Sequence, residues 1–416
     1  MTSEPGMAYV WTWLPDRRDP VVCGRVDDVD GELRFTYARS YLAREEALPI
    51  QPDLPHADGL PLVPGTARPP LGLTEHGVIR DAAPDSWGMR VLLRRLAGPD
   101  VEDPGRLPLL TYLVNSGSDR IGALDLQGSP DTYVPRATHG SLEELAQAAE
   151  LLEKGASLSE ELADALLYGT AVGGARPKAL LRDGDRRLIA KFSVSTDVFP
   201  WVQAEAVGME LARRCGVQAA RTELAQAAGR DVLLVERFDR PTPQTRRGVI
   251  SALTMLGLNE IAVQHATYLD LAETVRLSFS DPAATLRELF TRLVVNVLVG
   301  NTDDHPRNHA AFVTGGPLEL TPAYDVCPQP RRTGEAEQAM AFGPNGLKAA
   351  RVAACVASCS VFNLRRRDAQ EIVDRCVTVV TEQFDDACDH TGVSDTIQEL
   401  LRRGPVLHPS VFYPHH

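Results

Sequence analysis

Two side chains in the polar segment GNTDDHPRN, residues 300–308, stand at a spacing that could do chemistry. Asp303 and Asn308 are five positions apart. The carboxylate of Asp303 could accept the proton of an attacking hydroxyl, and the amide oxygen of Asn308 could bind a divalent cation. The segment directly follows the apolar run LVVNVLV, so it is either a solvated turn or an active-site loop. Other parts of the sequence favour the active-site loop.

A third candidate is Asp325, at the end of a short apolar run in LTPAYDVCP. Protein kinases use the D-x-x-x-x-N spacing and place a second metal-binding Asp further along the chain. Carboxylate and amide oxygens suit Mg²⁺, with phosphate oxygens completing its shell. The sequence therefore predicts that Asp303 is a general base and that Asn308 and Asp325 bind Mg²⁺.

Upstream, the segment VGGARPKALL, residues 172–181, could cradle a phosphate. Its two glycines let backbone N–H groups approach an anion, and Arg176 and Lys178 add positive charge. An isolated pair of glycines is more often a flexible turn. The segment is not a Walker loop, because no GK[ST] follows it.

Two strand-like segments complete the set. Lys191 ends the apolar part of RRLIAK, where a lysine can point into a cleft and pair with the phosphates of a nucleotide. The run VLLVERFDR, residues 232–240, ends abruptly in charge, as a hinge between two lobes would. An exposed strand lysine and an ordinary strand end are the alternatives. The order of all these segments is that of protein kinases, and it favours the functional interpretation.

The elements that must position these residues fall into three blocks. Short β-like runs and a Pro-rich loop fill residues 1–135, and the mostly helical third block covers 246–416. Between them, 136–245 begins with helix starts of capping character and continues with strands. We expect an α+β, two-lobed, protein-kinase-like fold with a β-rich N-terminal subdomain and a mostly helical C-terminal lobe.

Composition excludes several classes of function. The formal net charge of −13 argues against a chain that binds nucleic acid alone, because phosphate contacts need clustered Lys and Arg. No apolar run approaches the roughly 20 residues of a membrane helix. The first residues do not resemble a signal peptide, and the seven cysteines contain no CxxC pair. We expect a cytoplasmic protein without a membrane segment.

The motifs resemble those of one family, the HipA-type serine/threonine kinases, which are toxins of bacterial toxin–antitoxin pairs. GGARPKALL, VERFDR, GNTDDHPRNHAAF and LTPAYDV match its core motifs in order and approximate spacing. DAAPDSWGMRVL and GSDRIGALDL are similar to signatures of its N-terminal subdomain, so the resemblance covers most of the chain.

The resemblance implies ATP and Mg²⁺ as cofactors, with Asp303 as the catalytic base. It assigns the phosphate loop, the phosphate-binding lysine, the adenine-binding hinge, two residues beside the nucleotide and the two metal ligands. The phosphate loop is Gly173, Gly174, Ala175, Arg176, Pro177 and Lys178, and the phosphate-binding lysine is Lys191. The hinge is Glu236, Arg237 and Phe238, and the residues beside the nucleotide are His305 and Tyr324. The metal ligands are Asn308 and Asp325.

The function implied is phosphorylation of a translation factor, such as an aminoacyl-tRNA synthetase, with growth arrest as the result. A small HipB-like DNA-binding antitoxin would be the partner, and DNA would be reached only through it. A small-molecule kinase on the same scaffold and a catalytically inactive partner or co-repressor of the antitoxin are the alternatives. One position departs from the family: Ala171 stands where HipA has its self-phosphorylated serine, next to Thr170.

Overall fold

The computed structural model describes most of the chain. The described residues are 5–52, 65–98, 101, 103–137, 140–156, 159, 162–163, 166, 176–331 and 334–414. Phosphate-loop residues Gly173, Gly174 and Ala175 lie outside them, as do Thr170 and Ala171.

The N-terminal part is built on a five-stranded antiparallel sheet. Its strands are β1 (Met7–Thr12), β2 (Val21–Val29), β3 (Glu32–Tyr37), β4 (Thr66–Ala67) and β5 (Leu124–Gln127), in the order β4-β3-β2-β1-β5. Alternate residues of β3 are buried, which is the pattern of a strand with one face on the core. Four helices accompany the sheet: α1 (Arg39–Leu42), α2 (Gly77–Asp81), α3 (Ser86–Ala97) and α4 (Leu109–Asn115).

A second antiparallel sheet carries the predicted lysine strand and hinge. It consists of β6 (Lys178–Asp183), β7 (Arg186–Phe192), β8 (Thr222–Ala227) and β9 (Arg230–Glu236), in the order β6-β7-β9-β8. Helices α5 (Leu142–Glu153) and α6 (Trp201–Arg214) pack against it. The predicted capping of α5 is confirmed: the Ser141 side chain accepts from the Glu144 amide, and the Glu144 carboxylate accepts from the Ser141 amide.

The C-terminal part is mostly helical. A small sheet, β10 (Gly248–Ser251), β11 (Ala310–Val313) and β12 (Glu319–Leu320), precedes and follows the candidate loop. The helices are α7 (Ala252–Met255), α8 (Tyr268–Ser278), α9 (Pro282–Val299), α10 (Val352–Ala357), α11 (Arg366–Thr391) and α12 (Asp395–Arg403). Every residue of α9 from Leu289 to Val299 is buried, so this helix is the centre of the lobe.

The predicted α+β fold, with a β-rich N-terminal subdomain and a mostly helical C-terminal lobe, is confirmed. Each of the three sheets falls within one of the three predicted blocks, although the exact limits of those blocks stay predictions. All seven cysteines are buried with free thiols. None of the helices in the described part of the chain combines the length and apolar character needed to cross a bilayer.

Candidate active site

The candidate loop leaves the end of the central helix at a fixed point. Gly300 ends α9 in the left-handed conformation, with φ 75°, and a Cβ there would lie 2.6 Å from the carbonyl oxygen of Pro405. Only glycine satisfies both the backbone angle and this close approach. A single 3₁₀ turn, Pro306–Asn308, then closes the loop. The buried helix α9 therefore holds the start of the loop in a fixed position. A simple solvated turn would not need such an anchor.

Within this loop the structure brings Asp303 and Asn308 together. The Asn308 Nδ2 amide donates a hydrogen bond of 3.0 Å to the backbone carbonyl of Asp303. This bond uses the donor end of the amide and leaves Oδ1 as its acceptor end, which is the atom a cation requires. Asn308 is buried, whereas Asp303 is exposed and can be reached from solvent.

The electrostatic surroundings of Asp303 favour a proton acceptor. The pKa of Asp303 lies above its usual value, because neighbouring protein removes part of the hydration of the carboxylate and because Asp325 and Asp304 are negative nearby. His305 works in the opposite direction. A raised pKa makes a carboxylate a stronger base, which suits the role predicted for Asp303.

Asp325 meets the predicted strand lysine directly. Lys191 Nζ lies 2.5 Å from Asp325 Oδ1. Asp325 adopts φ 61°, a left-handed conformation that Asp tolerates better than most side chains. Burial alone would raise the pKa of Asp325, but the attraction of Lys191 outweighs it and lowers the pKa to about 2. Asp325 is therefore ionised at neutral pH and able to bind a metal.

Glu205, the second partner of this lysine, was not predicted from the sequence. Lys191 Nζ lies 2.6 Å from Glu205 Oε1, and Glu205 is buried on α6. In protein kinases a strand lysine must pair with a helix glutamate for phosphoryl transfer, and this pair has that arrangement. A Cβ at Gly208 would lie 2.2 Å from the carbonyl oxygen of Val326, so this glycine lets α6 approach the Asp325 segment. The local signal in the sequence was the position of Glu205 within the mostly apolar run VQAEAVGMEL.

Lys178 also finds a carboxylate, from the N-terminal subdomain. Its Nζ lies 3.2 Å from Asp85 Oδ2, and both side chains are buried. Asp85 also caps α3, accepting from the Gly88 amide at 2.6 Å. Burial raises the pKa of Asp85 to about 6 despite the attraction of Lys178. Asp85 lies in the motif DAAPDSWGMRVL, yet nothing in the sequence indicated this contact.

The predicted hinge divides into two environments. Phe238 contacts Phe312 and Tyr324, with both ring centroids 5.8 Å away. The side chain of Arg237 lies instead in a buried ion network with Asp119 and Asp239. The backbone N–H groups of Glu236 and Arg237 donate to the carbonyls of Arg221 and Arg187. The structure thus offers an apolar aromatic wall at Phe238, while the Arg237 side chain fastens the hinge to the N-terminal subdomain.

The remaining predicted residues surround this wall and the loop. The Tyr324 hydroxyl donates to the carbonyl of Arg307 at 2.6 Å. His305 is half-buried and close enough to Asp303 and Asp325 to influence both pKa values. Arg176 contacts the side chain of Asp197 at 2.7 Å and stacks on Trp201, and the carbonyl of Pro177 accepts from the Phe192 amide at 2.9 Å.

The donor set fits Mg²⁺ bound together with a nucleotide. In the part of the chain that the structure describes, no group of three or more His, Cys, Asp or Glu side chains could hold a metal by itself. Mg²⁺ is usually bound by one or two protein ligands plus substrate phosphates, so Asn308 and Asp325 are sufficient in chemistry and number. Lys178 and Lys191 could receive the phosphates.

Residues 170–384 match the family model of the HipA-like C-terminal domain. This segment is more than half of the chain and contains both lysine strands, the hinge and the candidate loop. The chain belongs to the HipA-like family. The resemblance read from the motifs is therefore confirmed, whereas the roles of the individual site residues stay predictions.

Two curated relatives and one solved structure extend the comparison. The serine/threonine-protein kinase toxin HipA of Shewanella oneidensis is 29% identical over an alignment of 174 residues that covers 36% of this chain and 40% of the toxin. The putative kinase Y4mE of Sinorhizobium fredii is 27% identical over 329 residues, covering 72% of this chain and 73% of that protein. The matched segment thus spans about two fifths of the first relative and most of the second.

The fold matches over nearly the whole chain. A structure of Shewanella oneidensis HipA, in a complex with HipB and its operator DNA, superposes with a TM-score of 0.69 at 17% identity. The match covers 97% of this chain and 95% of the other. Both the N-terminal subdomain and the two lobes therefore belong to the shared fold.

Proposed function

We propose that this chain is an ATP- and Mg²⁺-dependent serine/threonine protein kinase of the HipA toxin type. The observation that carries the proposal is Lys191, which contacts Glu205 at 2.6 Å and Asp325 at 2.5 Å beside the Asp303–Asn308 loop. A lysine–glutamate pair and a metal-binding aspartate must both be in place for kinase activity. The names of the two curated relatives support the same class of reaction.

Each residue has a defined task in this proposal. Lys178 and Lys191 bind phosphate oxygens, and Phe238 and Tyr324 offer an apolar surface to adenine. Asn308 Oδ1 and the carboxylate of Asp325 hold Mg²⁺, which when bound would neutralise charge on the phosphates. Asp303 orients the acceptor hydroxyl and accepts its proton at the carboxylate. Its raised pKa strengthens it for that step.

The exposure of Asp303 favours a protein acceptor over a small molecule. A hydroxyl on the surface of another protein can reach an exposed base, whereas a small substrate usually needs an enclosed pocket. Following the family resemblance, we propose a translation factor such as an aminoacyl-tRNA synthetase as the acceptor, with growth arrest as the consequence. A catalytically inactive partner is disfavoured, because the base, both metal ligands and the paired lysine are all retained.

The proposed partner is a small HipB-like DNA-binding antitoxin. The solved relative was captured with HipB and operator DNA. The net charge of −13 supports a division of labour in which the partner supplies most DNA contacts. A gel-shift assay with the purified chain alone should show no specific operator binding; specific binding without a partner would contradict this proposal.

The deciding experiment is a comparison of phosphoproteomes after expression of the parent and of Asp303→Asn. The expected result is a small set of Ser or Thr sites phosphorylated only with the parent. Transfer from ATP by the purified parent to one of those proteins, dependent on Mg²⁺, would complete the test. An unchanged phosphoproteome together with no transfer in vitro would overturn the proposed function.

A further inference from the structure

Beneath the two site residues of the loop, the chain repeats the same five-residue spacing. Asp304 follows Asp303, and His309 follows Asn308. While Asp303 is exposed, Asp304 and His309 are each only 2% exposed, and His309 Nε2 lies 2.8 Å from Asp304 Oδ1. The loop is thus tied twice between its ends, by the Asn308 amide to the Asp303 carbonyl and by His309 to Asp304.

The lower tie is anchored to another helix. The hydroxyl of Tyr268, at the start of α8, donates to Asp304 Oδ2. The rings of Tyr268 and His309 meet edge to face, with centroids 5.5 Å apart. Asp304 is therefore held by both Tyr268 and His309, and it cannot move without disturbing the loop.

A small cavity adjoins this group. The cavity has a volume of about 10 Å³, and its walls include Arg292, Asn301, Asp304, Asn308 and His309. Three buried polar atoms of these residues, Arg292 Nη1, Asn301 Oδ1 and His309 Nδ1, have no hydrogen-bond partner within the described residues. One donor, one acceptor and one imidazole nitrogen around a space of this size match the needs of a single water molecule.

We propose that Asp304 and His309 are positioning residues, and that with Tyr268 and one buried water molecule they fix the placement of Asp303 relative to Asn308. This inference rests on the proposed kinase function and explains how the loop performs it. Apolar side chains of similar volume could fill the same space at little cost in stability. A hydrogen-bonded Asp–His–Tyr group, unlike apolar side chains, fixes the orientation of the loop. A displacement of reacting groups by 1 Å can lower the rate by about 10²-fold.

The test uses two substitutions at one position. His309→Phe keeps a ring against Tyr268 but removes both nitrogens, and His309→Gln returns a side-chain N–H near the position of Nε2. In the full chain, His309→Phe should lower kcat by about 10- to 100-fold. It should also raise KM for Mg²⁺·ATP, because Asn308 is displaced, while the affinity for ADP without Mg²⁺ stays the same. His309→Gln should recover most of the loss.

Tyr268→Phe provides an independent arm with a matched control. It should lower kcat less than His309→Phe, because Asp304 keeps its bond to His309. Tyr112→Phe is the control: this buried tyrosine donates to the carbonyl of Pro104 in the N-terminal subdomain, far from the loop in sequence. It should leave kcat and KM at parental values, whatever it does to the thermal midpoint.

Failure of the positioning role and failure of the proposed kinase function give different results in these experiments. Suppose that the parent transfers phosphate and that His309→Phe has the same KM and the same kcat per folded molecule. The positioning role is then overturned, even if the variant is less stable. If His309→Gln is as impaired as His309→Phe, the hydrogen bond is not what matters, and the proposal also fails. A parent that transfers no phosphate overturns both the function and this inference. A high-resolution crystal structure should show a water between Arg292 and Asn301, and an empty cavity would remove the water from the proposal.

Discussion

Lys178 and Lys191 lie directly opposite each other on adjacent antiparallel strands. Two like charges in this position destabilise a sheet unless something neutralises them. Here the carboxylates come from elsewhere in the chain: Asp85 contacts Lys178, and Glu205 and Asp325 contact Lys191. A pair of opposed lysines is costly for the stability of the sheet, but it would suit the phosphate binding that the proposed function requires.

Asp303→Asn should abolish most phosphoryl transfer while leaving nucleotide binding intact. The amide cannot accept the proton of the acceptor hydroxyl, and general bases typically contribute about 10² to 10⁴ in rate. The ion pairs of Lys191 are with Glu205 and Asp325 and do not involve Asp303, so affinity for Mg²⁺·ATP should change little. Steady-state kinetics and calorimetry measure the two effects separately. Near-parental turnover would show that Asp303 is not the base.

Asp325→Asn should impair binding as well as turnover. The substitution removes a charge that Mg²⁺ needs and also removes one of the two carboxylates at Lys191. We expect weaker Mg²⁺·ATP binding by calorimetry, with a much smaller change for ADP without Mg²⁺. Parental affinity for Mg²⁺·ATP in this variant would contradict the assignment of Asp325 as a ligand. If the two aspartates showed each other's phenotypes, their roles would have to be exchanged.

Glu205→Gln should lower kcat/KM by about tenfold or more, because Lys191 would then be drawn towards Asp325 alone and misplaced for the phosphates. Gln has nearly the same volume as the buried Glu205 side chain, so we expect little loss of stability. The thermal midpoint of unfolding checks this. Glu210→Gln on the same helix is the control, since Glu210 pairs with Arg213 and Arg214 instead. Equal activity of Glu205→Gln and the control would remove Glu205 from the site.

The sequence predicted those parts of the site that depend on short spacings. Asp303 and Asn308 are five residues apart, and the capping of α5 by Ser141 and Glu144 involves three. It did not predict the partners of the lysines. Glu205 is 14 positions from Lys191, and Asp85 is 93 positions from Lys178. Their contacts depend on how α6 and α3 pack, and no local pattern determines that.

The contacts of the Arg237 side chain also could not be predicted from a local motif. The motif VERFDR predicted that Arg237 is part of a hinge, but the direction of the side chain depends on Asp119, which is 118 positions away. A buried arginine must be paired, and Arg237 is paired with Asp119 of the N-terminal subdomain and with Asp239, two positions along the chain. The motif could locate the residue but could not indicate where its charge is used.

Asp85→Asn should change how stability depends on pH. The folded-state pKa of Asp85 is about 6, above the ordinary value of 3.8, chiefly because burial disfavours the charge. A raised carboxyl pKa means that the folded state binds more protons between these two values, so this group makes the protein less stable as pH rises through that window. The effect amounts to at most about 3 kcal/mol. Asn cannot titrate, so the variant should lack this loss.

The measurement is the free energy of unfolding in urea, for parent and Asp85→Asn, at intervals from pH 4 to 6.5. All other titrating groups are common to both proteins, so the difference between the two curves isolates Asp85. Asn also caps helices well, which preserves the hydrogen bond to the Gly88 amide. The free energy of unfolding of the parent minus that of Asp85→Asn should fall as pH rises to about 6 and then level off. A difference that stayed constant across this range, or moved in the opposite direction, would show that Asp85 does not have the raised pKa.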